Sequence, residues 1–312
     1  MDIRKIHKSF ITDRSSLIVV LFLFLVIRIP LTGEGTPLEF WSSAFIQTGI
    51  ALFLLYLTQI FGIIRQKTLL PAFFYLLLAG TNPLFFYDLR GSVSAFIVTL
   101  CLLFLFNSYQ NPLSQRNALN ISLILTLGSF NWLPLFLFFP LFWYGMYRFK
   151  SLNIRTFFAS LTGILLVCLF WFAWCVYENN LSIFLQALPD WSDLTDIQIF
   201  SPNIREGVVI LFLFLLFVLS GIRIFMAGVS EKIQAMNILS YLYLLACVVF
   251  AFFFIQNQWS KEWLLILHIP LSLLIAHYFT LSNKPVELWL FLLVVVFFLL
   301  RLGLECFVWI EN

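Results

Sequence analysis

Charged residues are scarce in this chain, because Asp, Glu, Lys and Arg together make up 11% of its 312 residues while 62% are apolar. A soluble domain of this length cannot bury so much apolar side chain, so the composition excludes a soluble globular protein. A bilayer core of about 30 Å requires about 20 apolar helical residues for each crossing. Apolar runs of that order recur from Leu17 onward, which predicts an integral membrane protein.

The sequence also lacks the common motifs of cofactor binding. Its five cysteines have no CxxC spacing and lie in or beside apolar runs, which is typical of small packing residues. His268 and His277, nine residues apart on one predicted helix, lie on opposite faces unless Pro270 kinks that helix. There is no glycine-rich phosphate loop, HExxH or GxSxG motif. We therefore expect no metal, disulfide, nucleotide or other cofactor, and no nucleic acid partner.

Polar breaks between the apolar runs predict an all-α fold, a polytopic transmembrane helical bundle of about eleven spans. No repeat and no soluble domain is recognisable, so residues 1–312 are predicted to form a single integral membrane domain. The predicted spans are Leu17–Ile29, Ala44–Ile64, Leu69–Phe86, Ser92–Phe106, Ala118–Trp132, Leu133–Tyr147, Phe157–Tyr177, Val208–Phe225, Ile238–Ile255, Trp263–Phe279 and Val286–Leu304.

The distribution of charge predicts the orientation of the chain. If the N-terminus is cytoplasmic, 13 of the 18 Lys and Arg residues and only four of the 15 acids fall in inner segments. Inner segments of membrane proteins carry such an excess of basic residues. We predict a bacterial inner-membrane protein with a cytoplasmic segment at 1–15 and a periplasmic C-terminus. The outer loop at 178–206 is predicted to contain an interfacial helix at Leu181–Leu188.

The uncharged stretch 118–147 has two interpretations, one long tilted helix or two short helices that fold back at Asn131-Trp-Leu-Pro134. A single crossing would place Arg148, Lys150 and Arg155 outside and reverse the charge asymmetry, so a short hairpin is favoured. Each arm has about 15 residues, or about 22 Å at 1.5 Å per residue. Whether the hairpin crosses the whole membrane therefore stays open.

The few charged residues of the predicted outer face are the candidates for chemistry. They lie in the loop after the first span, in the turn between the third and fourth spans, and beside the last two spans. They are Arg28, Glu34, Glu39, Asp88, Arg90, Lys261, Glu262, Arg301 and Glu305.

The turn that carries Asp88 and Arg90 also has two interpretations. The Asn-Pro pair at 82–83 disfavours helix, and Gly91 and Ser92 suit a turn and the N-cap of the next helix, so the turn needs no function. A turn requires polarity rather than these particular charges, however. We therefore predict that Arg90 pairs with Asp88 or with a glutamate of the first outer loop, beside an outward-facing groove.

One part of the chain resembles a known enzyme class. Its segments are Asn82-Pro-Leu-Phe-Phe-Tyr, a short outer turn, a span and then Leu127-Gly-Ser-Phe-Asn-Trp-Leu-Pro134. The order of these segments resembles the middle of GT-C type membrane glycosyltransferases, which use polyprenyl-phosphate sugars. The resemblance covers residues 16–190 and is one of hydropathy rather than of individual letters. The first outer loop is short and lacks the aspartate usual in that class, so the resemblance implies a compact or degenerate relative.

The resemblance also implies roles for the outer charges. Glu34 or Glu39 would act as the base toward the acceptor hydroxyl, and Asp88 would correspond to an acid in a later outer loop. A cation would hold the lipid phosphate. The candidates for that role are Arg28, Arg90 and Arg301.

Three functions remain open at this stage. One is a glycosyltransferase or its degenerate relative, the second is a noncatalytic membrane subunit of an envelope complex, and the third is a small-molecule or lipid transporter. The chain also resembles a group of uncharacterised bacterial inner-membrane proteins of similar length, which brings no activity. The expected partners are the lipid bilayer, with a polyprenyl-phosphate lipid and other envelope proteins as candidates, and whether the protein is an enzyme stays open.

Overall fold

The computed structural model describes Phe24 and residues 36–178, 204–227, 232–280 and 285–311. Within these residues the chain forms ten α-helices, which confirms the prediction of an all-α fold. The helices are α1 (Pro37–Phe61), α2 (Leu70–Gly80), α3 (Leu89–Asn107), α4 (Gln115–Asn131), α5 (Phe138–Arg148), α6 (Ile154–Tyr177), α7 (Ile204–Ala227), α8 (Ile233–Ile255), α9 (Ser260–Thr280) and α10 (Pro285–Glu311).

Seven of these helices are long and apolar enough to cross a membrane, namely α1, α3, α6, α7, α8, α9 and α10. The chain is therefore a multi-span membrane protein, while the predicted count of about eleven spans stays a prediction. The first predicted span, Leu17–Ile29, lies outside the described residues except for Phe24. The predicted outer loop lies outside them from 179 to 203.

The third predicted span is shorter than expected. It was predicted to run to Phe86, but α2 ends at Gly80 after 11 residues. A separate 3-10 helix follows at Pro83–Phe85. Pro83 has no backbone N–H and disfavours helical geometry in the residue before it, which accounts for the interruption.

The uncharged stretch 118–147 forms two helices, as predicted. Trp132 has an extended backbone (φ −150°, ψ 106°) and separates α4 from a 3-10 helix at Leu133–Leu137 that leads into α5. The residues before α4 and after α5 are hydrogen-bonded to each other, because the Gln110 amide donates to the Phe149 carbonyl at 2.9 Å. One continuous helix would hold these ends far apart, so the hairpin interpretation is confirmed.

The described residues divide into two compact units. Unit 1 is drawn from Met1–Ala95, Ser201–Phe252 and Trp259–Asn312, and unit 2 from Phe96–Phe200 and Phe253–Gln258.

Helix α9 is the centre of unit 1, since 94% of its apolar stretch is buried. Phe74 of α2 stacks on Phe279 of α9 at 5.6 Å, and Phe291 of α10 lies 5.4 Å from Phe279. Such aromatic contacts add to the burial of apolar area and link three helices around α9.

Unit 2 is held by close packing of α4 against α6. Gly163 of α6 has no side chain, and a Cβ there would overlap the Ser122 hydroxyl and lie 3.0 Å from the Leu119 carbonyl. Small residues allow helices in membranes to approach in this way. In addition, the Trp143 indole of α5 donates to the Ser160 hydroxyl of α6 at 3.0 Å.

Candidate functional site

The Asp88 turn, residues 81–88 between α2 and α3, is built around the N-cap of α3. The Asp88 Oδ1 atom accepts a hydrogen bond from the Gly91 amide at 2.8 Å. The Ser92 hydroxyl donates to the Asp88 carbonyl at 2.7 Å, within a helix that begins at Leu89. The expectation that Ser92 caps this helix was wrong, because Asp88 lies earlier and its carboxylate reaches the free amide of the third helical residue.

Helix α1 holds this turn in place through two buried polar side chains. The Gln47 side-chain amide donates to the Phe85 carbonyl at 3.1 Å and to the Ser92 hydroxyl at 3.0 Å. The Ser43 hydroxyl donates to the Phe86 carbonyl. Buried carbonyls need such partners, so α1 satisfies the backbone of a segment that belongs to no regular helix.

One face of α9 lies against the same turn. Lys261, Leu265 and His268 are spaced i, i+4 and i+7, which places them on one side of the helix. The His268 ring lies 5.5 Å from the Phe85 ring, edge to face. A Cβ at Gly91 would overlap Asp88 Oδ2 and lie 2.9 Å from Leu265 Cδ1. Gly91 therefore lets α3 approach both α9 and the aspartate.

Four charged groups meet at this end of unit 1. The charges of Lys261 and Arg90 act on the carboxyl of Asp88, and those of Asp88, Arg90 and Lys261 act on Glu262. Within the described residues, Arg90 forms no salt bridge with Asp88 or Glu39, so the predicted ion pair to either of these two is not formed. Arg90 is exposed and acts on its neighbours through space.

The second oxygen of Asp88 is the unusual feature of the site. Asp88 Oδ2 is buried and has no hydrogen-bond partner among the residues that the structure describes. Burial raises the pKa of Asp88 above 3.8, against the opposing effects of the Gly91 amide, Lys261 and Arg90. An aspartate that holds its proton more tightly than usual, with one oxygen uncommitted, has the properties of a general acid or base.

The remaining predicted site residues lie in different places. Glu39 is half-buried in the first turn of α1, where its backbone amide donates a hydrogen bond to the Thr36 side-chain oxygen at 3.3 Å. An acid is favoured there by the helix dipole, which accounts for Glu39 without chemistry. Arg28 and Glu34 lie outside the described residues.

Arg301 approaches the site from α10. Its neighbour Leu302 packs against the buried pair of Phe40 and Phe86, and Phe86 belongs to the Asp88 turn. The charge of Arg301 acts on His268. The charge of Arg301 is not among those that act on the Asp88 carboxyl, which are Lys261 and Arg90.

Comparison with known proteins identifies the family of this chain. A family model described as a family of unknown function, DUF6427, matches residues 7–306. The chain belongs to the DUF6427 family. No curated protein and no solved structure matches it. The comparisons therefore give no support to the resemblance to GT-C glycosyltransferases.

Two residues that hold the site in this DUF6427 protein, Gln47 and Ser43, were not predicted from the sequence. The signal was two polar residues four positions apart in a largely apolar helix, and such residues also occur where a side chain bonds only to its own helix. Lys261 and Glu262 were predicted to lie on the same outer face as Asp88, but nothing in the sequence connects them to its carboxyl. Within the described residues of this DUF6427 protein, no group of three His, Cys, Asp or Glu side chains is arranged to hold a metal ion.

The raised pKa of Asp88 predicts how the stability of this DUF6427 protein depends on pH. The folded state binds the Asp88 proton more tightly than the unfolded state, so the contribution of Asp88 to stability is fully present below pH 3.8 and is lost as the pH rises through the raised pKa. Asp88→Asn retains an oxygen for the Gly91 amide but cannot ionise. We expect this variant to lack that decline, measured by thermal unfolding in detergent from about pH 4 to about pH 8. A constant difference from the wild type across this range would contradict the prediction.

Proposed function

We propose that this DUF6427 protein is a multi-span protein of the bacterial inner membrane that transfers a sugar from a polyprenyl-phosphate carrier at its periplasmic face. The observation that carries the proposal is the buried Oδ2 of Asp88, which has no hydrogen-bond partner within the described part of the chain although two cations act on the carboxyl. An N-cap requires only one oxygen, and Oδ1 already fills that role. The second oxygen is left for a substrate.

Each charged group has a separate role in this proposal. Asp88 Oδ2 accepts the proton of the acceptor hydroxyl, and the oxygen of that hydroxyl forms a bond to the anomeric carbon of the sugar. The bond between that carbon and the phosphate oxygen breaks, and the polyprenyl phosphate leaves with the electron pair. Arg90 and Lys261 stabilise the negative charge of the phosphate. The raised pKa of Asp88 favours this role, since a stronger base accepts the proton more readily.

The membrane environment supports a lipid-linked substrate over a water-soluble one. The Asp88 turn connects the apolar helices α2 and α3, and α9 brings Lys261 and Glu262 to the same place at its own N-terminal end. The phosphate of a polyprenyl lipid lies near the ends of such helices while its hydrocarbon chain remains in the bilayer. The charge distribution predicts that this end faces the periplasm.

Asp88→Asn separates binding from turnover and tests the proposal. We expect the variant to bind polyprenyl phosphate as the wild type does but to release it from a polyprenyl-phosphate hexose about 100-fold more slowly. The measurement uses purified protein in vesicles with a radiolabelled lipid. Arg90→Gln and Lys261→Gln are expected instead to weaken binding of polyprenyl phosphate.

Glu39→Gln is the matched control, because it neutralises a half-buried carboxylate near the start of another helix of unit 1. It should leave both binding and turnover unchanged. If the wild type binds no polyprenyl phosphate, the proposal is wrong. If Asp88→Asn turns over at the wild-type rate, Asp88 is a helix cap only.

A further inference from the structure

Unit 2 presents a second polar surface, formed by the loops at 108–114 and 149–153. The loops are hydrogen-bonded to each other at several points besides the bond between Gln110 and Phe149. The Ser108 and Ser151 hydroxyls lie 3.1 Å apart, and the Asn153 side-chain amide donates to the Pro112 carbonyl at 2.7 Å. We call this surface, together with the cations at its edges, the loop face.

Four exposed cations surround the loop face. Helices α4 and α6 begin at it and α5 ends at it, so residues near those helix ends share one end of the unit. The cations are Arg116, Arg148, Lys150 and Arg155. Within the described residues, none of the four forms a salt bridge.

No acid in the described part of unit 2 is near enough to balance these charges. The sequence has no Asp or Glu between Asp88 and Glu178. Glu178 follows the last residue of α6, a helix of 24 residues, and therefore lies about 36 Å from the end that carries Arg155. That distance is several Debye lengths at physiological salt, so Glu178 does not compensate the loop face.

The backbone of the loop face is held in an uncommon conformation. Gln110 and Lys150 have positive φ angles of 54° and 57°, although neither is glycine. Non-glycine residues adopt this conformation at a cost, which persists only where the surrounding structure imposes it. The hydrogen bonds between the two loops impose it here, so the cations are presented on a preorganised support.

The first turn of α4 adds an unsatisfied donor to the loop face. Ser114 precedes this helix, and its side chain makes no capping hydrogen bond. Its hydroxyl is buried and has no hydrogen-bond partner among the described residues. Free amides at the start of a helix are favourable places for an anion. Helix α6, which also begins at the loop face, is by contrast capped by the Asn153 side chain and Thr156.

Exposed apolar side chains lie among the cations. Leu113 is 70% exposed, Tyr147 70% and Ile154 76%. Tyrosine beside Lys and Arg is typical of the boundary between the bilayer and water, where the ring sits at the level of the headgroups. A surface for a soluble acidic protein would not require these apolar neighbours, so they favour a lipid.

We propose that the loop face is a docking surface for anionic phospholipid headgroups, with Arg116, Arg148, Lys150 and Arg155 contacting their phosphates. The charge complementarity is direct, since four cations that have no acid near them in the described part of unit 2 meet an anionic leaflet. Juxtamembrane Lys and Arg residues each strengthen binding to such a surface about fivefold. The exposed side chains of Leu113, Tyr147 and Ile154 insert into the bilayer beside the headgroups.

The test compares spin-labelled phosphatidylglycerol with spin-labelled phosphatidylcholine in vesicles of phosphatidylcholine that contain the purified full-length protein. Electron paramagnetic resonance gives the immobilised fraction of each probe. The wild type should prefer the anionic probe, and Arg148→Gln with Arg155→Gln should reduce its relative association constant by roughly 30-fold. Arg148→Lys with Arg155→Lys keeps both charges and should retain the preference.

Arg65→Gln with Lys67→Gln is the matched control, because it removes two exposed cations from a loop of unit 1. It should leave the preference unchanged. An equal loss in this variant would show a general charge effect and overturn the proposal, as would an unchanged preference in Arg148→Gln with Arg155→Gln. Thermal unfolding of each variant in detergent identifies any that fails to fold, and the lysine pair then decides the outcome.

Discussion

Replacing Glu287 with glutamine is expected to lower the free energy of unfolding by about 2–4 kcal/mol. Glu287 lies in the first turn of α10, and its Oε1 accepts a hydrogen bond from Arg223 Nη1 of α7 at 3.0 Å. The side chain of Glu287 is 10% exposed and that of Arg223 27%. The variant leaves the guanidinium largely buried beside a neutral amide, which is the costly arrangement. Water that reaches Arg223 makes the expected loss smaller than for a fully buried pair.

The same arginine also contacts a third helix. Its guanidinium carbon lies 5.9 Å from the centre of the Tyr278 ring of α9, a cation–π contact. The ion pair therefore links α7 and α10 at the side of the central helix of unit 1.

A double variant distinguishes the net contribution of the ion pair between Arg223 and Glu287 to the free energy of unfolding from the loss caused by leaving one buried charge unpaired. With Arg223→Gln and Glu287→Gln together, neither position carries a charge. Most of the stability that Glu287→Gln alone removes should therefore return. Both variants are measured by unfolding of the purified protein in mixed micelles of increasing denaturing detergent. A loss below about 1 kcal/mol in Glu287→Gln would mean that solvent screens the pair as it does on a surface.

The limits of the sequence are clear at the start of α1. Hydropathy predicted a span from Ala44, whereas the helix begins at Pro37. Thr36 as N-cap, proline at the first helical position and Glu39 two residues later together form a standard start signal. Hydropathy identifies the part of a helix that lies in the bilayer, and a helix extends beyond it wherever capping residues allow.

The break between α4 and α5 was predictable because two independent signals agreed on it. The basic residues after 147 required the chain to return, and Asn131-Trp-Leu-Pro134 offered the only break in an apolar run. The short length of α2 was not predicted, because Leu84, Phe85 and Phe86 continue the apolar run after the helix has ended. The apolar character of these residues does not show that they leave the helix and that their segment is held by polar side chains of α1.

The site was predictable only in part, for the same reason. Asp88 and Arg90 are conspicuous as charges in an apolar region, so the sequence identifies them as candidates. The bonds from Gln47 to Phe85 and Ser92, by contrast, join positions 38 and 45 residues apart. The approach of α9 to the turn depends on packing within unit 1. No local pattern predicts such contacts, and the buried Oδ2 of Asp88 follows from them.

Disrupting the contact between α4 and α6 is also expected to lower the stability of the protein strongly, because α6 has few other buried residues. Only 22% of its apolar stretch is buried, and Gly163 is among the buried positions. A Cβ at Gly163 would lie 3.0 Å from the Leu119 carbonyl, a backbone atom that cannot rotate away. A larger residue must therefore separate the two helices.

Gly163→Leu is expected to lower the free energy of unfolding by about 3 kcal/mol or more, since overpacking at a rigid backbone displaces whole helices. Gly49 of α1 is the matched control, because a Cβ there meets no atom within 4 Å. Gly49→Leu should raise stability by up to about 1 kcal/mol through helix propensity alone. Unfolding in mixed micelles measures both variants, and reduced energy transfer between one label on α4 and one on α6 would report separation of the two helices. Equal effects at the two glycines would mean that α4 and α6 do not pack through Gly163.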